Sequence, residues 1–447
     1  MYLPIFVEIH RIRKIWLLLL VLTLHAPFST AFRCPYDGSP GWPDVCDGTA
    51  STKTCKPFAR LPHDGSRAAW EQARVDLISS VFGAAGPPTR STPDVGPFPY
   101  DTPVVFDNCM CLLRGECPAS ACARPINATT FKWNISVPVN ASYSVFLQSQ
   151  VIHSLNSSGI AAGNTEKFES DDARTPTAQW PEVSIYPQTR SKTLVIFHDG
   201  HAVTNGCHYD VENVVDWFNR LGYDAMHLQM PLHGCNAQNP MKPLPHEWFA
   251  QFAGIDGKDS AKFPFMKFFL DPVWLTINYA KNVLGYQNIV MAGLSGGGWT
   301  THIASALDVR IGLSIPVAGS IPCDFAHTSW DFEQFCDQPW AKIANYTSLY
   351  VLASLEAERT QVQVLHEWDD CCFHGCGRHA RIKEYNDFVR SSGNGQFVTS
   401  VTAGNIHEVN ERDRVIIAST IEAWRREGAG ALTEEDLKRI PFSLTPL

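Results

Sequence analysis

The chain has 447 residues, of which 45% are hydrophobic, and a formal net charge of -9. That length buries a large core and suits one catalytic-size domain beside something smaller. The acidic balance, with no basic cluster beyond the first residues, excludes nucleic acid as a partner.

Arg11, Arg13 and Lys14 precede an uncharged apolar run from Ile15 to Ala26, followed by Pro27 and the small residues Ser29 and Ala31. This pattern predicts a cleaved signal peptide over 1–31. The apolar run is shorter than the roughly 20 residues that a spanning helix needs, so no stable membrane span is expected after cleavage. A secreted or secretory-pathway location agrees with fourteen cysteines, all at or beyond Cys34. It also agrees with acceptor sequons at Asn127, Asn134, Asn140, Asn156 and Asn345.

Residues 32–125 hold the cysteines from Cys34 to Cys122 and read as a disulfide-stapled, loop-rich region. Its one clear helix is Ser66 to Phe82, with Trp70, Ala73, Leu77, Ile78 and Val81 on one face. The proline-dense stretch from Gly86 to Pro103 reads as an extended connection rather than a core element. Alternation then predicts strands at Ile135 to Val139, Ser144 to Leu147 and Val183 to Tyr186.

From Leu194 onward, apolar strands alternate with helices. The strands are Leu194 to Phe197, Ala225 to Gln229, Asn288 to Ala292, Ile311 to Val317, Gln361 to Leu365 and Phe397 to Thr402. The helices lie near Val211 to Leu221, near Asp271 to Leu284, after Ser295, over Ala380 to Arg390 and over Arg412 to Arg426. This order predicts an α/β class, with a mostly parallel sheet covered on both faces and functional loops at the carboxyl ends of its strands. The catalytic domain is expected over 126–428, with a tail at 429–447.

Within that series, Gly293-Leu294-Ser295-Gly296-Gly297 joins a strand to a helix. A sharp strand-to-helix reversal crowds the backbone and admits only the smallest side chains beside a nucleophilic serine. A serine hydroxyl needs a histidine to take its proton and an acid to orient that histidine. His407 lies past a strand and before the last helix, where it serves as the candidate base. Asp369, ahead of Asp370, is the candidate acid, because the strand Gln361 to Leu365 runs into both. Glu367 is less well placed, and so is Glu356, in the helix-like segment before that strand.

The order serine, acid, histidine on alternating strands and helices resembles the α/β-hydrolase superfamily, over roughly Thr129 to Arg426. The resemblance implies a serine hydrolase, most simply a carboxylic ester hydrolase, with a serine peptidase or a non-catalytic binding protein of the same fold as alternatives. It implies an oxyanion hole from the amide of Gly296 and that of Gly200 or His201, since Leu194 to His201 is similar to the strand and loop that supply the second donor. The substrate expected is a small-molecule or lipid-like ester.

His198, His201, His208, His227 and His233 cluster near two strand ends, and Cys371, Cys372, His374, Cys376 and His379 carry metal-like spacing. In an exported chain the cysteines read as disulfides and the histidines as pocket walls, so neither metal nor cofactor is expected. Cys207 with Cys235, and Cys323 with Cys336, are candidate pairs. The second pair brackets Phe325, Trp330, Phe332 and Phe335, where the superfamily inserts a lid, here near 320–345.

Overall fold

The computed structural model divides the chain into Met1–Val45 and Cys46–Leu447. The residues it describes all lie in the second unit: 65–99, 104–105, 123–124, 128–140, 142–155, 192–201, 221–236, 264–323, 331–334, 339–369, 371–373, 379–404, 406–430 and 433–439, with single residues between 214 and 249. The signal-peptide stretch, most of the cysteine-rich region and the expected strand at 183–186 lie outside them.

Nine strands form one sheet. They are β1 (Val95–Pro99), β2 (Ala128–Asn140), β3 (Tyr143–Ser154), β4 (Thr193–His198), β5 (Asp224–Leu228), β6 (Asn288–Leu294), β7 (Ile311–Val317), β8 (Thr360–His366) and β9 (Gln396–Thr402). Their order across the sheet is β1-β2-β3-β5-β4-β6-β7-β8-β9. The pairings among β1, β2, β3 and β5 are antiparallel, and all the pairings from β5 through β9 are parallel. From β4 the chain passes first to one side and then to the other. That reversal opens a crevice outside the carboxyl ends of the strands.

The parallel strands are apolar almost throughout because both faces are covered. Their side chains alternate between two cores. Leu194, Ile196, Ile289 and Met291 face a core shared with α1 (Arg67–Phe82), α2 (Lys267–Asn282), α3 (Gly296–Leu307), α4 (Tyr346–Ala353) and α5 (His379–Ser392). Val195, Phe197, Val290 and Ala292 face the other, shared with Trp217, Phe218, α6 (Glu411–Glu427) and α7 (Glu434–Arg439). Each apolar side chain so buried contributes about 1.5–3 kcal/mol, so the alternation fixes which face each strand shows.

Two segments differ from the sequence expectation. The proline-dense connection contains β1, an exposed edge strand on β2. Edge position is where proline is tolerated, because its missing N–H faces away from the ladder. The helix-like segment expected about Glu356 is α4, which ends earlier, at Ala353; it is buried on all sides, so it lacks the one-sided stripe that would mark its bounds.

Helix α1 packs its Trp70, Leu77, Val81 and Phe82 into the first core. Its Arg74 donates to the carbonyls of Ala306 and Leu352 and pairs with Glu356. Glu356 also pairs with Arg359, whose guanidinium donates to the carbonyls of Ile311 and Leu352. This ionic cluster closes the amino-terminal end of β7 and β8.

Candidate active site

Strand register brings the candidate residues to one rim. His198 of β4 pairs with Gly293 of β6, so the residues that follow, Gly200 and Ser295, leave the sheet side by side. His366 of β8 pairs with Thr402 of β9, so the loops carrying Asp369 and His407 also leave together.

Ser295 has φ 56° and ψ -124°, a left-handed backbone that a non-glycine residue adopts only when its surroundings hold it there. Its amide donates to the Val317 carbonyl at 2.9 Å, and its side chain makes no capping bond to α3, which begins at Gly296. The glycines around it are sterically required. A Cβ on Gly297 would lie 1.9 Å from the His198 carbonyl oxygen, and one on Gly293 would lie 2.5 Å from that of Gly297. Gly298 and Gly319 likewise press together backbone to backbone. The crowding inferred from the motif is therefore present, and it extends one residue further than the motif does.

Gly200 lies against the serine, with a Cβ there meeting Ser295 Cβ at 2.7 Å and Oγ at 3.3 Å. The Gly200 amide donates to the Asp199 carboxylate at 3.1 Å. The amide of Gly296 belongs to the first turn of α3, where amides have no partner within the helix. The ring of His201 covers Gly296, since a Cβ there would meet its Cε1 at 2.7 Å.

Asp369 and His407 are brought together. His407 Nδ1 lies 2.8 and 3.0 Å from the two carboxylate oxygens. Oδ1 also accepts from the amides of Cys371 and Cys372, each at 2.9 Å, and His366 Nδ1 lies 3.3 Å from Oδ2. Burial opposes the charge, but the nearby His366 and His407 imidazoles hold the carboxyl well below the usual range. Such a carboxylate stays ionised and fixes the imidazole tautomer. Asp370 lies outside the described residues. Glu367 follows β8, where its amide donates to Thr402, and Glu356 belongs to the ionic cluster at the opposite end of the sheet.

His366 was not singled out by the sequence. It is fully buried between two carboxylates, with Nε2 2.8 Å from Asp413 Oδ2, while Asp413 also closes the capping box of α6 with Asn410. Burial disfavours its charge, yet Asp369 and Asp413 push its pKa up to about 9. The only signal for it was its place at the last position of a strand. His198 is also buried, and there burial pushes the pKa down to about 4. His227 stacks on Phe197 and lies 3.7 Å from Asp199. His208 lies outside the described residues.

Cys371 and Cys372 are bonded to each other. Cys323 is in a disulfide, and Cys336, Cys207 and Cys376 lie outside the described residues. Cys235 falls within a short turn of 3-10 helix. Of the sequon asparagines, Asn134 is exposed on β2 and Asn140 ends that strand. Asn345 caps α4 through Oδ1, accepting from the Ser348 amide at 2.9 Å. Asn127 and Asn156 lie outside the described residues. Among those residues, no helix is long and apolar enough to cross a membrane.

No protein-family model and no curated protein matches this chain. Several solved structures are similar to it. An acetyl xylan esterase from Paenibacillus sp. R4 is 11% identical, over 83% of this chain and 97% of that one, with a TM-score of 0.44. Acetyl xylan esterase 1 from Thermoanaerobacterium sp. JW/SL YS485 is 11% identical over 78% and 90%, with a TM-score of 0.41. A cold-adapted esterase from an Arctic intertidal metagenomic library is 11% identical over 68% and 95%, with a TM-score of 0.36. The chain's own strand order decides the assignment: parallel strands reversing at β4, with a serine turn after β6 and loops of acid and histidine after β8 and β9, make this an α/β-hydrolase fold.

Proposed function

We propose that the protein is a serine hydrolase acting on carboxylic esters through an acyl-enzyme on Ser295. The observation that carries this reading is the Asp369–His407 pair, at 2.8 Å, on loops at the same strand ends as the left-handed turn that presents Ser295.

In the proposed reaction Ser295 Oγ attacks the ester carbonyl carbon while its proton passes to His407 Nε2. The carbonyl oxygen becomes an oxyanion held by backbone amides. His407 then returns the proton to the departing alcohol oxygen as the acyl–oxygen bond breaks. Water repeats the sequence on the acyl-enzyme and releases the acid. Gly296 supplies one oxyanion donor. Because the Gly200 amide is engaged by Asp199, the His201 amide is the better second donor.

The apolar leader, the cysteines and the exposed sequon at Asn134 support a secreted protein, and the 320–345 segment between β7 and α4 is the proposed lid. Treatment with a fluorophosphonate probe, followed by mass spectrometry, tests the nucleophile. An adduct on Ser295 that is absent from Ser295→Ala is expected. A well-folded protein that stays unlabelled, or labels elsewhere, overturns the assignment. Turnover of small acyl esters without turnover of peptide substrates then separates esterase from peptidase.

A further inference from the structure

Beside the serine site, a second set of side chains converges from three separate segments. His201 follows β4, His233 and His246 follow β5, and Asp331 and Glu333 lie between β7 and α4. His201 Nε2, His246 Nδ1 and Glu333 Oε1 form a triangle with sides of 3.0, 3.0 and 2.9 Å. A ring nitrogen of His233 lies within 4.8 Å of the two histidine donors, and Asp331 Oδ1 is 3.6 Å from His201 Nε2.

Counting hydrogens shows what this triangle lacks. His246 Nε2 lies 2.8 Å from the Pro231 carbonyl, which only accepts, so that nitrogen carries the ring's hydrogen. Unless the ring is protonated, it then presents a bare lone pair at Nδ1, facing a carboxylate oxygen that also only accepts. An N–H on His201 Nε2 serves one of those two acceptors and leaves the other pair in lone-pair contact at 2.9 Å. The remaining oxygen of Glu333, Oε2, is buried with no hydrogen-bond partner among the described residues, on a side chain with no exposed surface.

One divalent cation inside the triangle answers all three lone pairs. Ligands about 2.0–2.2 Å from a zinc ion sit roughly 3–3.5 Å from one another, so the observed sides need little adjustment. Two imidazoles beside two carboxylates make a mixed nitrogen and oxygen set that suits zinc better than calcium or magnesium, which take sites built from oxygen alone. We propose that His201, His246, Asp331 and Glu333 form a zinc-binding site, with His233 at its edge.

The ion ties the loop after β4 to the loop after β5 and to the 331–334 segment. The His201 ring covers Gly296, so zinc would hold that ring and its backbone in place beside the serine. This is a positioning role, and the site stands on its own donors whether or not Ser295 is the nucleophile.

Untagged full-length protein, stripped with a chelator and dialysed, is titrated with zinc chloride by calorimetry and, separately, with cobalt chloride by visible absorption. One zinc per chain, a raised melting temperature and a cobalt spectrum abolished by zinc are expected. Glu333→Gln and His246→Gln should weaken binding by on the order of 100-fold or more while keeping the far-ultraviolet circular dichroism of the wild type. A wild-type protein that takes up no stoichiometric zinc and melts at the same temperature with and without it overturns the proposal, leaving a protonated His246 ion-paired to Glu333. Zinc held equally well by folded variants overturns it too. Should the variants not fold, the wild-type titrations decide alone.

Discussion

The two ends of the parallel sheet bury charge in different ways. At the amino end, Arg74, Glu356 and Arg359 satisfy one another and the carbonyls of Ala306, Ile311 and Leu352, so each buried donor has an acceptor. At the carboxyl end, Asp369, His366 and Asp413 are more deeply buried, Asp369 is bonded to His407 on an outer loop, and Glu333 keeps an oxygen with no partner among the described residues. Charge at the first end joins helix α1 to the sheet. Charge at the second, in the proposed reading, holds groups for a substrate and an ion. Burying an ion costs several kcal/mol unless it is paired, so an incompletely paired cluster persists only where another requirement retains it.

Substitutions at the two ends should therefore separate rate from stability. The largest expected effect is on rate: Asp369→Asn should slow fluorophosphonate labelling of Ser295 by about 10,000-fold, because the amide no longer fixes the His407 tautomer. If labelling is unaffected, the carboxyl end is structural and the contrast fails.

Glu356→Gln should do the reverse. It leaves Arg74 and Arg359 buried without their shared carboxylate and should cost about 3–5 kcal/mol in denaturant unfolding. The labelling rate per folded molecule should stay at the wild-type value.

His366 sharpens the comparison because it spans both properties. Its folded pKa, about 9, stands above the ordinary 6.5, so the stability it contributes is full below pH 6.5 and lost as pH rises through 9. The thermal midpoint of the wild type should fall over that window. In His366→Gln the fall should be much shallower, and a parallel curve would remove His366 as its cause. The smallest effect is expected from Asn410→Ala, which removes the side-chain cap of α6. It should cost about 1 kcal/mol, with the labelling rate nearly unchanged.

Much of the fold was legible because periodicity reports burial. The β7 bounds of Ile311–Val317 and the start of β6 at Asn288 coincide with the sequence expectation, and α6 differs by one residue at each end. The less legible elements were those whose partners are distant. Helix α4 is buried all round and has no stripe to mark its bounds, and β1 is an edge strand recognisable only through β2.

The same division runs through the site. Gly293, Ser295 and Gly297 announce the turn locally, because steric exclusion acts between near neighbours in the chain. Asp369 and His407 could be nominated from their place after strands, but only the parallel register of β8 on β9 sets their carboxylate and imidazole 2.8 Å apart. His246 and Glu333 carried no local mark at all. Neither residue's surroundings in the chain predict an imidazole against a buried carboxylate, since their meeting depends on three segments folding to one place. Short-range sterics and hydrophobic period were written in the sequence; the convergence of charged groups was decided by the tertiary structure, where desolvation and hydrogen bonding act between residues far apart in the chain.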